Sequence, residues 1–273
     1  MRKILLTVAY EGSGFHGFAY QDGVRTVEGA LADAVRAACG HEAVITGASR
    51  TDAGVHAYGN LASFDTDSTI PAEKFAAALN TKLPQDVRVV CAKEVAPDFH
   101  PRKTGWKKTY EYRILNAELP DPMLGRYTYH YRAPLDVHAM EQAAKALVGE
   151  HDFTSFCSVH SLSETRVRTI YDCLVLTRDA YPADLFPAGC GQDRDARQQA
   201  QLVVIRVSGS GFLYHMVRII AGTLLDVGRG RLSAEDIPRI LEARDRSAAG
   251  ATLDAQGLFL LGYEKNDVHN DSV

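Results

Sequence analysis

Ala43-Val44-Ile45-Thr46, then Arg50-Thr51-Asp52-Ala53-Gly54-Val55-His56, then Leu61-Ala62-Ser63-Phe64 is the stretch that decides the fold. Its two apolar flanks read as strands, and Gly47, Gly54 and Gly59 supply the permissive backbone of a shaped loop between them. An Asp on such a loop, two residues from an Arg, is held ionised by the neighbouring positive charge, which suits a nucleophile or a base better than a general acid. The competing reading is an Asp that hydrogen-bonds its own turn, a common use of the residue. From spacing alone both readings stand.

Outward from this unit, strands alternate with helices, without the regular βα rhythm of a doubly wound sheet. Toward the N-terminus, Ile4 to Tyr10 reads as a strand. Val27, Ala30, Leu31, Ala34, Val35 and Ala38 repeat at helical spacing, with Thr26 as N-cap and Gly40 as the stop. A short helix with Pro71 near its start and Phe75, Ala78 and Leu79 on its apolar face follows the Asp loop, then a strand over Arg88 to Ala92. The plan repeats from Thr109. Tyr110, Tyr112 and Ile114 alternate with polar residues as a strand does. Met140 to Val148 predicts a helix ending at Gly149, and Leu174–Leu176 and Leu202–Val207 read as strands. The polar stretch Arg178 to Gln201 between them reads as an exposed excursion. Leu213 to Leu225 is the most apolar helix pattern, Ser233 and Asp236 offer a capping box, and Leu258 to Leu261 is a closing strand. The spacing predicts an α+β protein of two strand-plus-helix units, 1–104 and 105–265. Mainly antiparallel sheets meet at a central cleft, helices lie outside, and a polar tail occupies 266–273.

Composition bounds the class. The 273 residues suffice for one large domain or two modest ones, and 46% hydrophobic with 23% charged residues is ordinary for a globular protein. No apolar run approaches the roughly 20 residues of a membrane span, and no secretory signal precedes the first strand. Five scattered cysteines without a Cys-x-x-Cys pair argue against a disulfide framework and a structural zinc site. A cytoplasmic protein without metal or membrane partner is the expectation. The net charge of −4 does not advertise nucleic-acid binding, but local patches decide that question. Arg102, Lys103, Lys107, Lys108 and Arg113 form one patch, Arg166 and Arg168 a second, and Arg229 with Arg231 a third.

Other chemistry has weaker support. No Gly-x-Ser-x-Gly elbow marks a hydrolase, and no second carboxylate lies near Asp52 in sequence for a glycosidase pair. His56 either orients Asp52 or braces the turn. Gly209-Ser210-Gly211 before a helix resembles a phosphate-binding turn but lacks the rest of a P-loop. His215 and Arg218, three apart on an apolar helix, are snorkelling surface groups or cleft-facing ones. Tyr110 is core packing by default. Its place after Lys107-Lys108 raises an aromatic platform for a nucleobase as the alternative.

Five ordered motifs then carry a resemblance. They are Ser49 to Ala57, Phe99-His100-Pro101-Arg102, Lys108 to Arg113, Glu150 to Phe156, and Phe212 to Arg218. Over about residues 3 to 264 the chain resembles the bacterial tRNA pseudouridine synthase A family, which isomerises uridines 38, 39 and 40 of the tRNA anticodon stem-loop. The resemblance implies the pseudouridine synthase fold, a homodimer acting on tRNA, and no metal or organic cofactor. It implies Asp52 as the catalytic aspartate and Arg50 as its partner. Tyr110 would stack on the target base, Arg218 would pair with Asp52 across the cleft, and Leu258 would line the base pocket. Lys107, Lys108, Arg166 and Arg168 are the expected RNA-backbone contacts. Four positions depart from the family pattern, and the 178–201 excursion is longer than usual. Ser49 replaces a Gly, Gly17-Phe18-Ala19 stands where Gly-Trp-Gln is common, and Gln256 replaces a Pro before Gly257-Leu258. Two alternatives accompany this reading: a pseudouridine synthase with other tRNA targets, and a non-catalytic tRNA-binding or folding protein.

Overall fold

Strand β1 (Arg2–Tyr10) opens the chain, and in it Ile4, Leu6 and Val8 have no exposed surface. The computed structural model describes residues 1–182 and 200–265. These fall into two compact units, one of Met1–Lys108 with Phe259–Val273, the other of Thr109–Leu258. The chain passes from the first to the second inside a strand, and returns just after the start of the last strand.

In the first unit, helix α1 (Val27–Cys39) begins where Thr26 Oγ1 accepts the Gly29 N–H and ends at Gly40, whose φ of 79° only glycine adopts cheaply. Both caps agree with the sequence. The strand expected over Ala43–Thr46 is shorter: β2 is Thr46–Gly47 alone. Val44 is 83% exposed, so the residues before Thr46 do not lie on a sheet face. β3 (His56–Thr66) begins earlier than the apolar run implied and includes Gly59. Of the three glycines assigned to the loop, Gly54 alone has a left-handed φ, 80°. Gly47 is needed for space, since a Cβ there would lie 2.2 Å from the Phe18 ring. A single 3₁₀ turn after Pro71 leads into α2 (Phe75–Asn80), and β4 (Val87–Val95) follows. β1 lies between β3 and β4 with antiparallel pairing to both, Ile4 facing Phe64 on one side and Glu94 on the other. β2 pairs antiparallel with β3.

The second unit starts in β5 (Trp106–Asn116), followed by β6 (Tyr129–Tyr131), which pairs parallel with it. Tyr110, Tyr112 and Ile114 are buried as the period of two requires, but Glu111 is also buried, 2% exposed. Helix α3 (Val137–Lys145) ends before the predicted stop, and Gly149 instead opens β7 (Gly149–Asp152) with a φ of 119°. β8 (Val167–Asp179) and β9 (Gln201–Gly209) form a long antiparallel pair. The ends of the expected excursion are therefore ladder residues, Arg178 facing Leu202 and Asp179 facing Gln201. Its middle, 183–199, lies outside the described residues, as does the tail 266–273. Helix α4 (Met216–Gly228) starts three residues later than the apolar pattern because His215, at φ 63°, turns the chain left-handed. α5 (Asp236–Ala243) is preceded by half a capping box, in which the Asp236 carboxylate accepts the Ser233 N–H and hydroxyl. β10 (Leu258–Lys265) closes the chain, and its Phe259 and Leu260 pair parallel with His56 and Ala57 in the first unit. The strand order is β4-β1-β3-β10 in the first unit and β5-β9-β8-β7 in the second. This is an α+β fold with mainly antiparallel sheet.

Candidate active site

The Asp52 loop runs from the end of β2 to the start of β3, and its backbone is pinned from two directions. On one side the β1–α1 connection lies against it. The Phe18 N–H donates to the Thr51 carbonyl at 3.0 Å, and the Gly54 N–H donates to the Phe15 carbonyl at 3.3 Å. This contact needs glycine: a Cβ on Gly12 would sit 2.0 Å from the Val55 carbonyl oxygen, and one on Gly17 would sit 2.8 Å from that of Thr51. Phe18 is fully buried beneath Gly47 and puts an aromatic prop under the loop. From the other side, the side chains of Tyr10 and Asn60 reach Thr51 and Ser49. Within the loop, the Val55 N–H donates to the Asp52 carbonyl at 3.2 Å. Asp52 is half-buried, Arg50 is exposed and Thr51 between them is buried.

His56 braces the turn. It is 2% exposed, its Nδ1 accepts the Gly12 N–H at 3.0 Å, and its ring stacks on Phe259 with centroids 4.6 Å apart. Lys107 meets Glu264 at 3.5 Å. Lys108 turns inward: its ammonium donates to the Ala48 carbonyl at 3.3 Å and lies 5.7 Å over the Tyr263 ring.

The second unit carries the remaining predicted residues. Tyr110 is 8% exposed and meets Phe212 edge-on at 5.0 Å, an orientation that fixes the plane of its ring. Arg218, in the first turn of α4, donates from Nε to the Leu253 carbonyl at 2.6 Å, and its own carbonyl accepts the Leu253 N–H at 3.4 Å. His215 and Arg218 do not share a helix face, because His215 is the left-handed residue before the helix, its ring against Tyr214 at 3.9 Å. Leu258 is buried at the end of a 3₁₀ turn, Ala255–Gly257, seated on β5. A Cβ on Gly257 would meet Tyr112 at 2.8 Å, and the Tyr112 hydroxyl donates to the Asp254 carbonyl.

Arg166 and Arg168 are anchored within their own loop. Arg166 donates to Cys157 Sγ and the Ser161 carbonyl, and Arg168 donates to the carbonyls of Thr165 and Val167. Burial lowers the pKa of Arg168, with no effect on its charge at neutral pH. Gly209-Ser210-Gly211 is not a helix N-terminus. Ser210 exchanges hydrogen bonds with the Thr169 backbone, and α4 starts five residues further on. Sequence reasoning missed Tyr10, Asn60, Phe212 and the Leu253 carbonyl. The available signal was Asn60, an amide at the head of the apolar run Leu61–Phe64.

Among the described residues no group of three or more His, Cys, Asp or Glu is placed to hold a metal ion. Among them, too, no helix is long and apolar enough to cross a membrane.

Comparison with known proteins places this arrangement. Residues 6–102 and 143–264 match the sequence profile of a family described as tRNA pseudouridine synthase. A protein of Caldicellulosiruptor saccharolyticus named tRNA pseudouridine synthase A is 41% identical over 261 residues, 96% of this chain and 98% of the relative. Proteins of the same name from Anoxybacillus flavithermus and Halalkalibacterium halodurans are 43% and 40% identical, covering 95% and 94% of this chain and 97% and 90% of those relatives. Matches of this length and identity run through both units and through the Asp52 loop, and the chain belongs to the tRNA pseudouridine synthase family, a family of isomerases.

Proposed function

We propose that this protein isomerises uridine to pseudouridine at positions 38, 39 and 40 in the anticodon stem-loop of tRNA, with Asp52 as its catalytic residue. The observation that carries the reading is the Asp52 loop: an Arg-Thr-Asp-Ala-Gly motif whose backbone is fixed by neighbouring segments, in a chain of this family. The reaction breaks the N1–C1′ bond, turns the base and joins C5 to C1′, so N1 gains a proton and C5 loses one to solvent. Those atoms are hidden in a stacked stem, and the nucleotide must be flipped out to reach them. Arg50 and Arg218 hold the flipped nucleotide and keep the Asp52 carboxylate charged, Tyr110 stacks on uracil while it is detached, and Leu258 lines its pocket. Lys107, Lys108, Arg166 and Arg168 meet the RNA backbone. The protein acts as a cytoplasmic homodimer, and sedimentation equilibrium should return twice the chain mass.

Loss of the C5 proton supplies the test. Wild-type protein should release tritium from tRNA carrying 5-tritiated uridine, whereas Asp52→Ala should bind the tRNA and release none. Release by Asp52→Ala, or none by wild type, overturns the reading. Mapping pseudouridine in tRNA from a deletion strain tests the positions, since unaltered modification at 38–40 would exclude them.

A further inference from the structure

Asn60 has no exposed surface and sits on β3 at the head of an apolar run, where a carboxamide is expensive to bury. Its four hydrogen-bonding positions are all used. Nδ2 donates to the Ser49 carbonyl at 2.9 Å and to the Tyr10 hydroxyl at 3.1 Å, while Oδ1 accepts the Ser49 N–H at 3.3 Å and the Tyr263 hydroxyl at 2.7 Å. The orientation of the amide is settled by its partners, because the Ser49 N–H only donates and the Ser49 carbonyl only accepts. The Tyr10 hydroxyl that receives one of these bonds is also 2.7 Å from Thr51 Oγ1. One side chain therefore grips the backbone of Ser49 in both directions and reaches Thr51 through a single intermediary. Ser49 and Thr51 are the residues on either side of Arg50, and Thr51 precedes Asp52.

We infer that Asn60, working with Tyr10 and Tyr263, is a positioning residue for the catalytic aspartate, an inference that rests on the reading of Asp52 given above. The amide does not touch the reacting atoms. It sets the path of the three residues leading into Asp52, and a fully satisfied buried polar network holds one geometry where an apolar contact would permit several. No close substitute meets the requirement. Asp lacks the donors for the Ser49 carbonyl and Tyr10, and Leu fills the space but makes none of the bonds. Displacement of a catalytic group by about 1 Å lowers turnover on the order of 100-fold. Loss of Asn60 should thus act chiefly on the chemical step, and on tRNA affinity only as far as Arg50 moves with the loop.

Asn80 is the matched control. Its side chain grips Val89 in the same way, donating to that carbonyl and accepting that N–H, both at 2.9 Å, but on β4. Single-turnover tritium release and tRNA Kd are measured for wild type, Asn60→Ala, Asn80→Ala and Tyr10→Phe, at a temperature where each is shown folded by circular dichroism. The expected result is a single-turnover rate on the order of 100-fold lower for Asn60→Ala with a much smaller change in Kd, and the wild-type rate for folded Asn80→Ala. Tyr10→Phe keeps its ring in place and loses only the hydroxyl bridge, so its rate should fall several-fold. If Asn60→Ala does not fold, Tyr10→Phe decides alone. The wild-type rate in folded Asn60→Ala or in Tyr10→Phe overturns the inference, as does an equal loss of rate in Asn80→Ala. A wild-type protein that releases no tritium would instead overturn the assignment of activity.

Discussion

Gly12 has no room for a methyl group, because the atom that blocks it is a backbone oxygen of the Asp52 loop, that of Val55, not the end of a flexible side chain. Gly12→Ala must therefore push the β1–α1 connection away from the Asp52 loop. Overpacking of this kind costs about 1–3 kcal/mol. Urea denaturation should show the loss, and tritium release should fall further than stability alone accounts for. Full activity in a destabilised Gly12→Ala would show that the loop tolerates the shift. At this scale the sequence was legible where one residue type has one use. Thr26 and Gly40 were correctly read as caps of α1, and removing the Thr26 hydroxyl should lower stability by about 1 kcal/mol. It was illegible where a side chain's partner is distant in sequence. Nothing near Asn60 discloses that Tyr263, some two hundred residues later, donates to it.

β5 shows what a whole strand adds. Read as an alternating strand, it has a polar face that includes Glu111, yet Glu111 is buried between Arg113 and Arg206, each 2.8 Å away. Burial pushes the Glu111 carboxyl up, but the hydrogen bonds from Arg206 and Arg113 outweigh it and hold the group below its ordinary 4.5. A carboxyl lowered by folding stabilises the protein fully above the unfolded value, and that contribution disappears as the pH falls through the folded one. Glu111→Gln should be less stable than wild type by about 3 kcal/mol at pH 7, with a gap that narrows below pH 4.5. Urea midpoints across pH 7 to 3 check this, and a gap that widens in acid would refute it. The pattern of two was correct. The second buried face escaped it because Arg206 belongs to β9, and no periodicity within β5 reveals a cation supplied by another strand.

At the scale of the molecule, a protein of net charge −4 is expected to bind a polyanion through a few local cations. Affinity for tRNA should fall steeply with salt. Lys107→Ala should flatten that dependence by about one unit. Lys108→Ala should flatten it as well and also slow turnover, since that ammonium braces the Ala48 carbonyl next to the loop. An unchanged slope in both variants would remove this patch from the RNA footprint. The longer strands were readable from hydrophobic spacing, but the short β6 and β7 were not: nothing in the spacing marks Tyr129–Tyr131, and Gly149 reads as a helix stop. The membership of the last strand was not readable either, because pairing between Phe259 and His56 joins residues from opposite ends of the chain.

That pairing has a consequence for how the protein is made. The unit that holds Asp52 takes its strand β10 from beyond the other unit in sequence, whereas that other unit, Thr109–Leu258, is one segment of the chain. Until β10 is made, the start of β3 at His56 and Ala57 lacks its parallel partner, although β2 already pairs with Ala62 and Ser63 further along the same strand. A chain truncated after Leu258 should yield a protease-resistant second unit and a readily digested first one, with resistance of both only in the full chain. β10 thus completes the first unit, laying Phe259 on the His56 ring and bringing the Tyr263 hydroxyl to Asn60.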